Sequence, residues 1–203
     1  MSKKLEILQA ATHLFATKGF KQTAMAEVAA MTGTAGSNIF YHYKTKEDIF
    51  LAILKTVKDE LLSQMETHIG RQRFTSGLLM LETLVAAYLD LAGANSEWFM
   101  LLHHRFPYEL AASNSTCREH LEAIYTCFID LFEKAIRMGQ EDGSIVKTSA
   151  RKTAMVIFAM VDGVVRFNTY NLYEAGSLYE ELRRSCRRML QSTPTKKSRR
   201  ARC

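Results

Sequence analysis

The sequence predicts an all-α protein. Hydrophobic residues make up 47% of its 203 residues and only two residues are proline, so the chain can form a sizeable helical core. Apolar residues recur at helical spacing along most of the chain, and glycines such as Gly19 and Gly33 supply helix stops. We find no repeats and no strand pattern. We therefore expect about nine helices, arranged as an amino-terminal three-helix domain and a larger helical domain.

Charge and cysteine content bound the function. The formal net charge is +6, and much of the basic excess lies near the two ends, including the run 183–202, which favours an anionic partner such as DNA. The four cysteines have no metal-ligand or redox spacing. No signal peptide precedes Lys3, and the longest apolar run, 154–161, is too short to span a bilayer. We expect a cytoplasmic protein with reduced thiols, no metal, no cofactor and no membrane contact.

The first helix presents an apolar face that begins at Leu5 and ends at Phe15. Gly19 ends this helix, and Phe20 can fold back onto it. Residues 24–43 then predict two short helices around Gly33, which is the plan of a helix-turn-helix; an ordinary helical hairpin is the alternative. Thr23 is expected to cap the first of the two.

The pair of short helices has an inward and an outward side by helical spacing. The first helix of this pair carries an apolar stripe that includes Met25 and Met31. The inward side is structural and consists of Val28, Ile39, Phe40 and Tyr43. The outward side, with its flanking lysines, consists of Thr23, Ser37, Asn38, Tyr41, His42, Lys44 and Lys46.

The rest of the chain predicts a larger helical domain. Thr45 caps a long amphipathic helix that ends near His68. Further helices are expected at about 78–91, 96–102, 115–138, 149–172 and 178–190, with a loop after Pro107. Gly139 to Gly143 should close the helix over 115–138, and Thr148 should cap the helix over 149–172. The domains are then 1–60, 61–192 and a disordered basic tail, 193–203.

The helix over 149–172 is apolar almost all round, so it should be buried on every side. Packing one face on its own core and another on a second copy satisfies this, together with the last helix, as a four-helix dimer interface. The residues expected in that interface are Phe158, Gly163, Arg166, Leu182, Cys186 and Met189.

A ligand cavity between the helices is a further hypothesis, with ordinary core packing as the alternative. Its candidate lining is Trp98, Phe99, His103, Phe106, Tyr125, Phe128, Met155, Phe158 and Asp162. Asp162 can instead pair with Arg166, one turn away, or lie in the dimer seam. His103 and His104 point about 100° apart on a helix, which argues against a metal pair. No motif for a nucleophile, paired carboxylates or a phosphate loop is visible, so an enzyme is not expected.

Several motifs together are similar to the DNA-binding region of the TetR/AcrR family of transcriptional regulators. They are Gly19-Phe20, Thr23, Glu27-Val28-Ala29, Gly33 and Phe40-Tyr41-His42-Tyr43-Lys44-Thr45-Lys46-Glu47-Asp48-Ile49. The resemblance covers residues 3 to about 54. It implies a homodimer on a palindromic DNA operator, and a second domain that binds an unknown small molecule, hydrophobic or aromatic in character. Most such proteins are repressors released by their ligand; an activator, or a non-specific DNA-binding protein with a purely structural dimerisation domain, is the alternative.

The resemblance also implies roles for single residues. Thr23 can meet a phosphate, and Lys46 matches a position that contacts phosphate. Tyr41 and His42 match positions that contact the DNA backbone or the bases, and Lys44 lies next to them. Base reading should come from the front of the recognition helix, Ala35, Gly36, Ser37 and Asn38, with Tyr41 as a further candidate. The Asn38 amide suits adenine, and a capping or phosphate contact is its alternative. The chain departs from the family at Ala35, Gly36, Ser37 and Phe40. Ala35 removes the customary cap, which Thr34 or Ser37 can replace by shifting the helix start.

Overall fold

The computed structural model describes residues 2–70 and 72–191, so the predicted tail 193–203 lies outside the described residues. The described part is all-α, as predicted, with ten helices and one 3₁₀ turn rather than about nine helices. Its one strand-like contact is an isolated bridge between Ile145 and Gln191. The helices are α1 Lys3–Thr17, α2 Met25–Thr32, α3 Gly36–His42, α4 Lys46–Gly70, α5 Gly77–Ala94, α6 Ser96–His103, α7 Arg105–Ala111, α8 Ser115–Asp142, α9 Ala150–Thr169 and α10 Leu178–Leu190; the 3₁₀ turn is Ala175–Ser177.

The first three helices form the small amino-terminal unit. Ile7, Ala11 and Phe15 turn inward from α1. Gly33 closes α2 in the left-handed conformation, with φ of 59°, as its sequence position predicted. The ring of Phe20 lies 5.2 Å from that of Phe15, which confirms that it folds back onto α1.

Helix α4 connects this unit to the rest of the chain. Its start is the predicted cap: Thr45 Oγ1 accepts from the Asp48 amide at 3.0 Å, and the Asp48 carboxylate accepts from the Thr45 amide at 2.9 Å. The helix continues without interruption through residue 60, where the two domains were expected to meet, and packs on both α1 and α8. A shift of α4 therefore moves both units.

Helix α7, Arg105–Ala111, was not predicted, because Pro107 suggested a loop. Pro107 is the third residue of this helix, where a backbone amide has no intrahelical acceptor. The proline therefore costs no hydrogen bond. The short helix lies against α8 and α6.

Two glycines let α5 and α8 touch through their backbones. A Cβ at Gly77 would lie 2.0 Å from the Gly139 nitrogen, and a Cβ at Gly139 would lie 2.5 Å from Ile145 Cγ1. The prediction that Gly139 begins to close α8 is wrong, since the helix continues to Asp142 and ends at Gly143 with φ of 80°. Gly139 allows a close approach rather than a stop.

The large unit packs around aromatic side chains of α5, α6, α8 and α9. Helix α5 is long and apolar enough to cross a membrane by length and composition alone, but 67% of it is buried in the protein, which fits a core helix. Helix α9 begins after Ser149, not Thr148 as predicted. The fully or nearly buried aromatic residues of this core are Tyr88, Phe99, Phe128, Phe132 and Phe158.

Candidate functional site

Helices α2 and α3 meet as a helix-turn-helix, with one side buried against α1 and α4. Val28, Ile39 and Tyr43 are buried, as predicted. Two predictions about this side are wrong: Phe40 is 48% exposed and Met31 is 55% exposed. A seven-residue helix turns a narrow stripe inward, so Ile39 and Tyr43, four residues apart, leave no inward position for Phe40.

The outer face of α3 and the turn before it is open to a partner. Ala35, Gly36, Ser37 and Lys44 are exposed, and Tyr41 is 84% exposed. Asn38 and His42 are half-buried on the same short helix. The structure therefore brings together most of the residues that the sequence assigned to DNA contact. They are polar or small, as a surface that enters a DNA groove requires.

The front of α3 is built differently from the expected cap. Ala35 is the N-cap residue and offers no side-chain acceptor, so neither Thr34 nor Ser37 replaces it as the helix start. Instead, Asn38 Nδ2 donates to Thr34 Oγ1 at 2.9 Å. This bond fixes the orientation of the Asn38 amide before any partner binds.

Thr23 does not cap α2, contrary to the sequence-based expectation. It is 2% exposed, and its hydroxyl donates to the carbonyls of Gly19 at 2.9 Å and Leu14 at 3.2 Å. At the start of α2, the backbone amide of Ala24 donates to the Glu27 carboxylate at 2.9 Å. The Thr23 hydroxyl is thus committed to the end of α1 and is not available to a phosphate.

Lys46 also points inward. Its Nζ donates to the Phe20 carbonyl and lies 4.5 Å from the Phe20 ring centroid and 5.7 Å from that of Phe15. Burial lowers the pKa of Lys46, partly offset by the charge of Glu27. The expected phosphate contact of Lys46 does not fit this position, because the ammonium stabilises the turn between α1 and α2.

The remaining lysines near this unit are mostly paired with acids. Lys18 bonds to Glu27, whose pKa is lowered first by that contact and then by the Ala24 amide. Lys21 reaches Glu109 of α7 at 3.0 Å. Lys44 beside α3 is exposed, which makes it the lysine best placed for a phosphate.

The second unit contains a polar centre at Asp162, which lies within the otherwise mostly apolar helix α9. Tyr88 Oη donates to Asp162 Oδ1 at 2.6 Å, and His103 Nε2 lies 3.1 Å from the same oxygen. Sequence reasoning missed Tyr88, because it is one aromatic residue in a mostly apolar helix. The alternative in which Asp162 pairs with Arg166 is not formed, since Asp162 Oδ1 faces Tyr88 of α5 and His103 of α6.

Aromatic rings enclose this centre. Tyr88 is met edge-on by Phe128 at 4.7 Å, Phe99 at 5.5 Å and Phe158 at 5.6 Å between ring centroids. Tyr125 lies 5.7 Å from Phe158 and shares a hydroxyl hydrogen bond with Tyr108 of α7. Burial, and then the charge of Asp162, raise the pKa of Tyr88, so its hydroxyl is a neutral donor.

Three predicted ligand residues lie elsewhere. Met155 is 51% exposed on the outer face of α9. Trp98 lines a groove of about 430 Å³ with Leu8 and other residues of α1 and α4. Phe106 stacks on Phe20 at 3.7 Å between centroids. The structure therefore keeps Phe99, His103, Tyr125, Phe128, Phe158 and Asp162 together and excludes these three.

Contacts between α6–α7 and α1 link the two units. His104 Nε2 lies 2.7 Å from the Ala16 carbonyl, in the last turn of α1 where carbonyls have no helical partner. His13 Nδ1 lies 2.7 Å from the Glu97 carboxylate. Neither histidine contact could be seen in the sequence, because the partners are 84 and 88 residues apart.

The residues expected at a dimer seam separate into two groups. Phe158, Leu182 and Cys186 are buried within the chain's own core, which leaves their side chains little surface for a seam. Gly163, Arg166 and Met189 remain on the accessible side, and Met189 is 49% exposed. Exposed apolar residues accompany them along α9, the following turn and α10: Met155, Val156, Phe167, Leu172, Tyr173 and Leu178.

The described residues also form a surface groove away from Asp162, and they hold no metal-binding cluster. A groove of about 580 Å³ lies between α4 and α5, with Gln64, His68 and Asp90 in its lining. Within residues 2–70 and 72–191, no group of three or more His, Cys, Asp or Glu side chains is arranged to hold a metal ion.

Comparison with known proteins agrees with this geometry. Residues 7–53 match the family described as bacterial regulatory proteins, tetR family. The chain is 28% identical over 164 residues to the transcriptional repressor BepR of Brucella suis, covering 77% of this chain and 76% of that protein.

Two solved structures share the fold across nearly the whole chain. A putative transcriptional regulator from Saccharomonospora viridis in complex with choline aligns with a TM-score of 0.80 at 18% identity, covering 94% of this chain and 98% of that one. FadR from Bacillus subtilis in complex with stearoyl-CoA aligns with a TM-score of 0.71 at 20% identity, covering 91% and 98%. At these identities the likeness concerns the fold alone.

Proposed function

Because the amino-terminal domain of this chain belongs to the tetR family of bacterial regulatory proteins, and the chain is thus a DNA-binding transcription regulator, we propose that it is a cytoplasmic, homodimeric repressor. It binds a palindromic operator through α3 of each protomer and leaves the operator when a small molecule binds the second domain.

The exposed face of α3 supports this proposal most directly. Ile39 is fully buried and anchors the helix, so Ser37 and Tyr41 project outward from a fixed base. A helix presented in this way fits the major groove, where donor and acceptor patterns distinguish the four base pairs.

Asn38 is the base-reading candidate. Thr34 accepts one hydrogen from its Nδ2, which leaves the second amide hydrogen and Oδ1 for N7 and N6 of adenine. Ser37 lies beside it at the front of the helix, and Tyr41, His42 and Lys44 contact the sugar-phosphate backbone around it. Ala35 and Gly36 allow close approach of the backbone, since neither carries a side chain beyond Cβ.

The dimer forms through the exposed apolar face of α9 and α10. Val156, Phe167 and Leu178 are 51%, 38% and 37% exposed along this face. Apolar side chains left open on two adjacent helices are satisfied by a second copy related by a two-fold axis. Gly163 lies on the same side, with open space where a Cβ would stand, so the two α9 helices can approach closely.

The ligand enters the second domain near Asp162. The structural neighbours bind choline in one case and stearoyl-CoA in the other, so the fold accommodates both a small cation and an acyl thioester. Helix α4 crosses between the units, and α6 touches α1, so a rearrangement at Asp162 changes the position of α3.

Fluorescence anisotropy with DNA from upstream of the protein's own gene tests the proposal. We expect saturable binding that survives unlabelled random competitor, with salt weakening both specific and random complexes. Asn38→Ala should weaken the specific complex roughly tenfold, in line with about 1–3 kcal/mol for one base contact, and leave random DNA nearly unchanged. Equal loss on both DNAs would make Asn38 a phosphate contact, and binding that ignores sequence at every salt concentration would contradict the proposal.

A further inference from the structure

The surroundings of Asp162 identify the chemistry of the ligand. We infer that the second domain binds an organic cation, held between the Asp162 carboxylate and the aromatic rings around it. This inference deepens the proposed ligand-responsive function and rests on it, but it is carried by side chains of this chain alone.

The carboxylate lacks a permanent counter-charge. Its two hydrogen bonds, from Tyr88 and His103, both reach Oδ1, and no described residue donates to Oδ2. Among the described residues its one ion-pair candidate is His103, which is charged only when protonated. A carboxylate in a largely apolar setting is stabilised strongly by a cation that arrives with its own apolar surface.

The aromatic groups supply that second requirement. Tyr88, Phe99, Phe128 and Phe158 form ring pairs whose centroids are 4.7–6.1 Å apart. Tyr125 extends the cluster toward the surface. The face of an aromatic ring attracts a cation, and cages of such rings recognise quaternary ammonium groups. An anionic head group gains nothing from these faces and is repelled by Asp162.

His103 shows that the centre is incomplete. Its side chain is 2% exposed, yet its Nδ1 has no hydrogen-bond partner among the described residues. A buried ring nitrogen without a partner is costly, and a hydroxyl on the ligand removes that cost. A small cation that carries a hydroxyl therefore satisfies both Asp162 and His103.

The centre is not sealed on every side. Asp162 keeps 24% of its side chain exposed, and Tyr108, 45% exposed on the short helix α7, bonds to the Tyr125 hydroxyl above it. Burial raises the pKa of both hydroxyls, and the charge of Asp162 adds to each shift.

Isothermal titration calorimetry with choline chloride tests the inference, with sodium chloride at the same ionic strength and sodium octanoate as comparison titrants. The full chain should bind choline and neither comparison compound. Asp162→Asn should bind choline at least about tenfold more weakly, which is about 1.4 kcal/mol. Glu141→Gln, which removes a carboxylate from the exposed side of α8, should bind choline like the unchanged protein.

Three outcomes would overturn the inference: no choline binding, octanoate binding more tightly than choline, or equal choline affinity in Asp162→Asn. Should Asp162→Asn fail to fold by circular dichroism, Tyr88→Phe decides the question. It keeps the ring and the carboxylate and removes a competing donor, so choline should bind at least as tightly; a tenfold loss would contradict the assignment.

DNA binding of the same samples separates this inference from the proposed function. The Asp162→Asn protein should bind its operator and ignore choline, whereas the unchanged protein should be released by it. Specific DNA binding without cation binding would remove the cation site and leave the regulator intact. Cation binding without any specific DNA binding would overturn the proposed regulator and keep the cation site.

Discussion

The neighbouring side chains His103 and His104 make hydrogen bonds in two different parts of the molecule. His103 Nε2 lies 3.1 Å from Asp162 Oδ1 in the large unit, and His104 Nε2 lies 2.7 Å from the Ala16 carbonyl in the small unit. Helix α6 ends at His103, and His104 has an extended backbone between α6 and α7, so the two rings leave the chain toward different helices. The pair connects the candidate ligand centre with α1 through a single peptide bond.

Removing the second histidine should loosen this connection. We expect His104→Ala to lower the free energy of unfolding by about 1–2 kcal/mol, because it leaves the Ala16 carbonyl without its partner. Urea denaturation followed by circular dichroism measures the change. His13→Ala is the matched control, since its contact with Glu97 also joins α1 to α6 but is 45% exposed on both sides, and such pairs contribute about 0–1 kcal/mol. Equal losses in the two variants would show that the His104 contact has no special weight.

Two lysines that follow α3 should behave differently on DNA. Lys44 is exposed, so Lys44→Ala should reduce the slope of log K against log salt by about one, as expected for the loss of one phosphate contact. Lys46 is engaged with the Phe20 carbonyl, so Lys46→Ala should lower thermal stability and leave that slope unchanged. Anisotropy at four or more salt concentrations measures both slopes. A reduced slope for Lys46→Ala at unchanged stability would restore it as a phosphate contact.

The backbone contact between α5 and α8 should tolerate no side chain. Gly77→Ala places a methyl group 2.0 Å from the Gly139 nitrogen, so the helices must separate, at a cost of about 1–3 kcal/mol or more. Gly93→Ala, in the same helix, meets nothing within 4 Å and should stabilise the protein by roughly 0.5–1 kcal/mol. Thermal or urea unfolding distinguishes these opposite signs. A Gly77→Ala protein as stable as the unchanged chain would mean that α5 and α8 do not meet as described.

The apolar face of α9 should control the oligomeric state. Val156→Glu places a carboxylate in the proposed seam and should weaken dimerisation by at least about 100-fold, because an unpaired buried charge costs several kcal/mol. Thr116→Glu adds the same charge at an exposed position near the start of α8 and should leave the dimer intact. Sedimentation velocity over a concentration series reports the change. Val156→Glu sedimenting as a full dimer at low micromolar concentration would place the interface elsewhere.

Much of the fold was predictable because helix periodicity and caps are local signals. The left-handed Gly33 and the reciprocal Thr45–Asp48 cap followed from residues within four positions of each other. The errors arose where local signals have two meanings. Pro107 breaks a helix interior but is tolerated in a first turn, and Gly139 permits helix contact as well as helix termination.

The candidate site was predictable only in its outward face. Ser37 and Tyr41 are exposed because Ile39 and Tyr43, four residues apart, turn the other side inward. The positions of Thr23 and Lys46 were not predictable, since their hydrogen bonds reach carbonyls of Leu14 and Phe20 whose location depends on the packed fold. The hydrogen bond from Tyr88 to Asp162 was not predictable for the same reason, since the partners are 74 positions apart in the sequence.

Selection of binding sites from a random DNA library most directly tests the claim that two copies of α3 read a palindromic operator. We expect enrichment of an inverted repeat whose half-sites lie about one helical turn apart, and loss of preference at one position of each half-site with Asn38→Ala. Recovery of unrelated sequences without a shared half-site, from a folded protein at physiological salt, would contradict it.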